Sequence, residues 1–224
     1  MNRQIRSYVL RQGRTTPAQQ RALGELSHRF GIEFRDAPLD AAEVFGRKAP
    51  LVLEIGSGMG ETTARIAAEH PEADFIAVEV HGPGVGSLLN RIEAARLANL
   101  RVVRHDAVEV LERMIPDAAL AALHVFFPDP WPKKRHHKRR LVQPRFVALA
   151  AAKLADGALV HLATDWPDYA EQMAALFLDS PSFEASARGF VARSETKFAA
   201  RGRRLGNPIS DLYFRRRERA PAAR

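Results

Sequence analysis

Leu51-Val52-Leu53-Glu54-Ile55-Gly56-Ser57-Gly58-Met59-Gly60 is a short apolar run that stops abruptly in a cluster of glycines. A strand buried on both faces of a parallel sheet has this look, because neither side needs polar residues. Thr62 to His70 then reads as a helix closed by Pro71. The alternation continues outward. Strands are predicted at Phe75 to Val80, Arg101 to Arg104, Leu120 to Phe127 and Ala158 to Ala163, and helices at Val85 to Ala98, Val108 to Ile115, Pro144 to Leu154 and Asp168 to Leu178. Strands alternating with helices imply βαβ units, hence an α/β fold with a mostly parallel open sheet and helices on both faces. The last forty residues lose the helical period and predict a C-terminal antiparallel hairpin from Gly189 to Arg193 and Leu212 to Arg216. Residues 1–48 carry little apolar period beyond a helical stretch around Pro17 to Phe30. They read as an N-terminal appendage to one domain, 49–224.

The 224 residues suffice for one sizeable core. Thirty-four Lys and Arg against 26 Asp and Glu give a net charge of +8, which favours a polyanionic partner. Cysteine is absent, which excludes disulfides, thiolate metal sites and cysteine nucleophiles, including pyrimidine methylation through a cysteine adduct. No apolar run approaches the ~20 residues of a membrane span, and Met1 to Arg14 lacks the apolar block of a secretory signal. The expectation is a cytoplasmic chain, monomer or homodimer, with no membrane and no metal.

Gly56, Gly58 and Gly60 lie between strand and helix, where the backbone must turn sharply and approach a ligand. The nearby carboxylates select that ligand. Glu54, two residues before the first glycine, would repel the pyrophosphate of a dinucleotide but attract the ammonium and sulfonium of S-adenosyl-L-methionine. Glu79 closes the second strand, twenty-five residues on, where an acid accepts ribose hydroxyls. Asp106 closes the third strand and either accepts from the adenine amino group or caps the next helix.

The fourth predicted strand runs into Phe126-Phe127-Pro128-Asp129-Pro130-Trp131-Pro132. Three prolines make a stiff loop, in which Asp129 suits the N–H edge of a purine and Trp131 either stacks on a base or packs. Lys133, Lys134, Arg135, His136, His137, Lys138, Arg139 and Arg140 follow without one acid. Such a block beside a base pocket is expected to grip RNA phosphates. No cysteine or suitably spaced carboxylate completes a metal site around the paired histidines. Asp165, in Thr164-Asp165-Trp166-Pro167 after the fifth strand, is either a second purine-edge acceptor or a helix cap. Further cations gather at Lys197, Arg201, Arg203 and Arg204, at Arg215 to Arg217, and at Arg3, Arg6, Arg11 and Arg14.

Across nearly its whole length the chain resembles the bacterial tRNA (guanine-N7)-methyltransferase family. The resemblance rests on Arg6-Ser7-Tyr8-Val9-Leu10-Arg11-Gln12-Gly13-Arg14, Leu53 to Gly58, Phe127-Pro128-Asp129-Pro130-Trp131, His137-Lys138-Arg139-Arg140, Ala163-Thr164-Asp165-Trp166 and Thr196-Lys197-Phe198. It implies a Rossmann-like class I methyltransferase acting on the variable-loop guanine, position 46. It also implies cofactor contacts from Glu54, Glu79, Asp106 and Asp129, with Asp129 as the catalytic residue. Lys133, Asp165 and the Thr196, Lys197, Phe198 segment would touch the tRNA. One departure is Ala199, where the family usually has Glu. A nicotinamide oxidoreductase, an RNA-binding protein without catalysis and a methyltransferase for another base are the alternatives. The acidic residues around the glycine loop disfavour the first two.

Overall fold

A computed structural model describes residues 6–9, 13–191 and 208–219. In chain order the elements are α1 (Pro17–Glu25), α2 (Ser27–Phe30), β1 (Gly31–Ile32), α3 (Ala41–Phe45), β2 (Leu51–Ile55), α4 (Glu61–Glu69) and β3 (Asp74–Val78). They continue as α5 (Gly82–Ala95), β4 (Leu100–Val103), α6 (Ala107–Arg113), β5 (Leu120–Phe126), a 3-10 helix (Lys134–Arg139), α7 (Pro144–Lys153), β6 (Leu154–Thr164), α8 (Pro167–Leu178), β7 (Phe183–Ala185) and β8 (Ser210–Arg216). The sheet order is β1-β4-β3-β2-β5-β6-β8-β7. Strands β1 to β6 run parallel, while β8 pairs antiparallel with both β6 and β7.

Each residue of β2 and β3 is buried, and all but Glu54 and Asp74 are apolar, because helices cover both faces. On one face Leu53, Ile76, Leu123, Val160 and Phe214 join side chains of α6, α7 and α8. On the other, Val52, Phe75, Ala77 and Ala122 meet α1, α4 and α5. Helix α1 begins at a capping box: Gln19 N–H donates to Thr16 Oγ1 (3.3 Å) and Thr16 N–H to Gln19 Oε1 (2.9 Å). It packs on α5, and Gly31–Ile32 extends the sheet beside β4.

The terminal hairpin corrects an expectation. Its first strand is Phe183–Ala185, paired with β8; Gly189 to Val191 belong to no strand, and residues 192–193 lie outside the described residues. Burial decides the register. Phe183 is 1% exposed and packs edge-on against Phe177 at 4.8 Å, whereas Phe190 and Val191 join the apolar cluster on the opposite face. Helix α5 also begins three residues before the predicted Val85. No helix among the described residues is long and apolar enough to cross a membrane.

A polar row crosses the largely apolar sheet. Glu54 lies beside His124, His124 beside His161, and His161 beside Tyr213 in successive strand registers. Thr63 Oγ1 donates to Glu54 (2.9 Å), and burial pushes the Glu54 carboxyl up to about 7. Burial, then the neighbouring His161, pushes His124 down to about 3; neither of its ring nitrogens has a hydrogen-bond partner. Asp211 lies 2.8 Å from His161 Nε2.

These shifts have opposite consequences for folding. Glu54 holds its proton more tightly folded than unfolded. Its contribution is therefore present below the ordinary 4.5 and lost as pH rises through about 7. His124 is held neutral, so its contribution is present above 6.5 and lost as pH falls toward about 3. Where the windows overlap, the slopes cancel. Glu54→Gln should unmask the histidine. Relative to the parent, its urea-unfolding free energy should rise between pH 4.5 and 7 by up to about 1.4 kcal/mol per pH unit. Parallel pH curves for parent and variant would refute a raised Glu54 carboxyl.

Candidate active site

The carboxyl ends of β2 to β5 open into a cavity of about 670 Å³. Gly56 (φ 78°), Gly58 (φ 56°) and Gly60 (φ 75°) all occupy the left-handed region, which explains three glycines in one short loop. Helix α5 lies so close that a Cβ on Gly84 would stand 2.4 Å from the Gly58 carbonyl oxygen. Glu79 locks the same loop. Its Oε2 accepts from Gly58 N–H and its Oε1 from His81 N–H, both at 2.8 Å.

The four acids expected to contact the cofactor, Glu54, Glu79, Asp106 and Asp129, occupy different places. Glu79 lines the cavity with Gly56 and Gly58. Glu54 sits beneath the loop and does not line it; its hydrogen bond goes to Thr63. Gly60 serves as the N-cap of α4, outside the lining. Asp106 caps α6, accepting from Val108 N–H at 2.9 Å, and also binds the Tyr8 hydroxyl. Burial, and next the Asp106 charge, raise the Tyr8 phenol above its usual range.

Asp129 lines the cavity rim, in a loop whose ends are both strained. Phe127 (φ 52°) and Trp131 (φ 46°) adopt left-handed conformations, costing of order 1–3 kcal/mol each for bulky residues. Trp131 packs within the protein. Its indole N–H donates to the Ser7 carbonyl (3.0 Å), and the Arg139 guanidinium lies over its ring at 3.7 Å. Arg139 also donates to the carbonyls of Arg6 (3.2 Å) and Tyr8 (3.3 Å). Residues 6–9 are thereby clasped across the cavity mouth.

The basic block divides in two. Lys133, Arg135 and Lys138 are exposed. His136 meets the Trp131 ring edge-on; loss of solvent and the surrounding cations, Arg135 first, lower its basicity. His137 lies 3.9 Å from Asp168. Arg140 overturns the expected phosphate contact, because its side chain is 1% exposed and each of its three nitrogens already donates within the protein. It donates to Asp168 (2.5 Å), Gln172 (2.5 Å) and the Pro130 carbonyl (2.8 Å), and stacks on Tyr169.

Asp165 follows β6, one strand over from β5, so the two candidate purine-edge carboxylates leave neighbouring parallel strand ends. It is not the cap of α8. Trp166 holds that position, and Thr164 Oγ1 accepts its N–H (3.2 Å). Thr196, Lys197, Phe198 and Ala199 lie outside the described residues. Among the cavity residues, His81 and His105 were not singled out in the sequence, and Ser7 and Tyr8 only within the motif that carries the resemblance. The signal for His81 is its place beside the loop-like Gly82-Pro83-Gly84, and that for Tyr8 the N-terminal motif; His105 carries none.

The cavity suits the adenosyl cofactor. Ile55, Val78, Val125 and Phe126 give it apolar walls, and Glu79 uses two of roughly four carboxylate lone-pair sites on the backbone, leaving the others for hydroxyl donors.

A family model described as "Putative methyltransferase" matches residues 48–212. The tRNA (guanine-N(7)-)-methyltransferase of Aromatoleum aromaticum is 57% identical over 220 residues, 96% of this chain and 85% of that protein. Its counterpart in Nitrosospira multiformis is 51% identical over 223 residues, covering 98% and 97%. Among solved structures, the 16S rRNA methyltransferase KamB superposes with a TM-score of 0.56 at 17% identity, over 84% of this chain and 99% of that one. At such identity the likeness concerns the fold.

Arg140 is an internal strut by this geometry. Arg140→Ala should cost about 3 kcal/mol of stability by orphaning the Pro130 carbonyl and Gln172, whereas Arg135→Ala should stay within about 0.5 kcal/mol. Urea unfolding compares them, and equal small losses would return Arg140 to the surface.

Proposed function

The chain belongs to the tRNA (guanine-N7)-methyltransferase family, and on that footing we propose that it transfers a methyl group from S-adenosyl-L-methionine to N7 of the variable-loop guanine, position 46. What carries this reading is the placement of Asp129. It stands at the rim of the cavity that Glu79 and the glycine loop form, on a loop strained at both ends and running into exposed cations.

S-adenosyl-L-methionine, when bound, supplies an electrophilic methyl group on a sulfonium. Glu79 and the backbone of Gly56 and Gly58, which line the cavity, would hold its adenosyl part. Guanine N7 carries an unprotonated lone pair, so no general base is required to make the nucleophile. The protein's task is to aim N7 and to accommodate the positive charge that methylation leaves on the ring. Asp129, with Asp165 from the neighbouring strand end, accepts from the N–H edge of guanine and stabilises that charge. Rate then derives from orientation and fixed electrostatics. Lys133, Arg135 and Lys138 take RNA phosphates, as does the Thr196 to Ala199 segment with its Lys197. Such contacts set affinity without reading sequence. The cytoplasm, where the substrate resides, is the proposed address.

Incubating the protein with labelled cofactor and tRNA lacking N7-methylguanosine, followed by nucleoside analysis and mapping, should place label on N7-methylguanosine at position 46. Label on another nucleoside would keep the fold and cofactor and discard the guanine-edge role of Asp129 and Asp165. Asp129→Ala should lower kcat by about 10²–10³-fold. Its tRNA Kd should stay within about threefold, because phosphates dominate affinity. A comparable loss of affinity would make Asp129 a binding or folding residue instead.

A further inference from the structure

A second cavity, of about 1010 Å³, opens at the β1–β4 edge of the sheet, beyond the residues that line the methyl-donor cavity. Its charged lining consists of Arg29, Arg35, Arg101 and Arg104 against Glu33 alone, with His28 beside them. The first and third arginines are held in place. Arg29 pairs with Glu93 at 2.9 Å, and Arg101 donates to the carbonyls of Ala98 (2.9 Å) and Leu100 (3.0 Å) while lying over Phe45. Arg35 and Arg104 are exposed and make no ion pair among the described residues. The Arg104 guanidinium lies over the first turn of α5, in space left by Gly82, where a Cβ would come within 2.9 Å of its Nη2.

Position gives this cationic groove its meaning. Arg104 directly precedes His105, which lines the donor cavity, so the two cavities abut at the end of β4. From β5, whose end carries Asp129 and the basic block, the order β5-β2-β3-β4-β1 spans four strand spacings. At about 4.8 Å each, this puts the groove roughly 19 Å from the base loop. Cations thus flank the reaction centre on both sides. Guanidinium forks match phosphate oxygens, and a cavity of about 1010 Å³ lined by four arginines suits a chain of phosphates better than a single anion.

We infer that the groove between β1, β4 and the start of α5 binds the sugar-phosphate backbone of a second segment of the same tRNA whose guanine enters beside Asp129. This inference rests on the tRNA reading above. The groove would act as a ruler, favouring a folded RNA that reaches both cationic surfaces over a short one that reaches only the base loop.

The test uses the full chain, an unmodified tRNA transcript and a short hairpin carrying only the acceptor guanine and its stem. Cofactor affinity and thermal melting serve as checks that variants are folded. Arg35→Ala combined with Arg104→Ala should weaken tRNA binding about tenfold, and should flatten the slope of log Kd against log salt by about 1.5, for two lost contacts. Hairpin affinity should not change. Arg145→Ala removes an arginine whose side chain is 77% exposed on α7, and should leave all three readouts as in the parent. Parental tRNA affinity and salt slope in the double variant would overturn the groove as an RNA site and leave it to an acidic protein partner. Equal weakening of tRNA and hairpin would also overturn it, by showing that the arginines act through overall charge or at the donor site. Binding is read separately from methylation. A parent that binds tRNA but yields no N7-methylguanosine sinks the proposed reaction without deciding the groove, which the variant affinities decide.

Discussion

Everything around the reaction centre depends on one carboxylate. Glu79 directly follows β3 and accepts from the backbone amides of Gly58 and His81, tying the glycine loop to the start of α5. The joint tolerates little change. Gly84 approaches the Gly58 carbonyl so closely that no side chain fits there. A glutamine at position 79 would offer one acceptor oxygen where two amides need partners, and its NH2 would oppose the other amide. Position and charge are therefore supplied together: the group that shapes the loop also makes the cavity acidic.

The aromatic-proline loop is built at a cost that its surroundings offset. Two bulky residues sit in left-handed conformations at either side of Pro128-Asp129-Pro130. Arg140 fastens the Pro130 carbonyl to α8 from within, and Arg139 clasps Trp131 and the N-terminal segment from outside. The cationic block is thus two devices in one string. Its inner arginines are structural, spending their hydrogen bonds on carbonyls and Asp168. Its outer cations stay in solvent, where a polyanion can reach them. Reaction at a lone pair that needs no deprotonation suits this economy, since rigidity and charge placement matter more than a titrating base.

The polar row Glu54, His124, His161 and Tyr213 sits where an apolar sheet would be more stable. A buried histidine without partners and a carboxyl held near neutrality both subtract from folding free energy. The row runs directly below the strand ends that carry the glycine loop, the aromatic-proline loop and Asp165. Polar groups kept at such expense are the pattern of a site whose local chemistry takes precedence over stability.

Much was legible in the sequence because the physics was local. Runs buried on both faces, glycines at left-handed positions and helix-stopping prolines predicted the parallel core, and β2 (Leu51–Ile55) has the bounds read from the chain. The glycine loop, Asp129 and the cationic string were legible too, since their chemistry is written in adjacent residues. Tertiary structure decided the rest. Whether Arg140 meets solvent or Asp168 depends on α8, where Asp168 lies 28 residues further on, and Glu54 and Glu79 look alike in sequence until packing puts one below the loop and the other in the cavity. Phe183 displaced the predicted hairpin strand because a buried ring outweighs an apolar stretch that has another face to cover. The β1 edge is only Gly31–Ile32, too short to leave a pattern, yet it brings four arginines from two distant stretches, 29–35 and 101–104, into one groove. A chain advertises what neighbouring residues do together. Pairings across long separations exist only once burial has chosen which side chains lose their water.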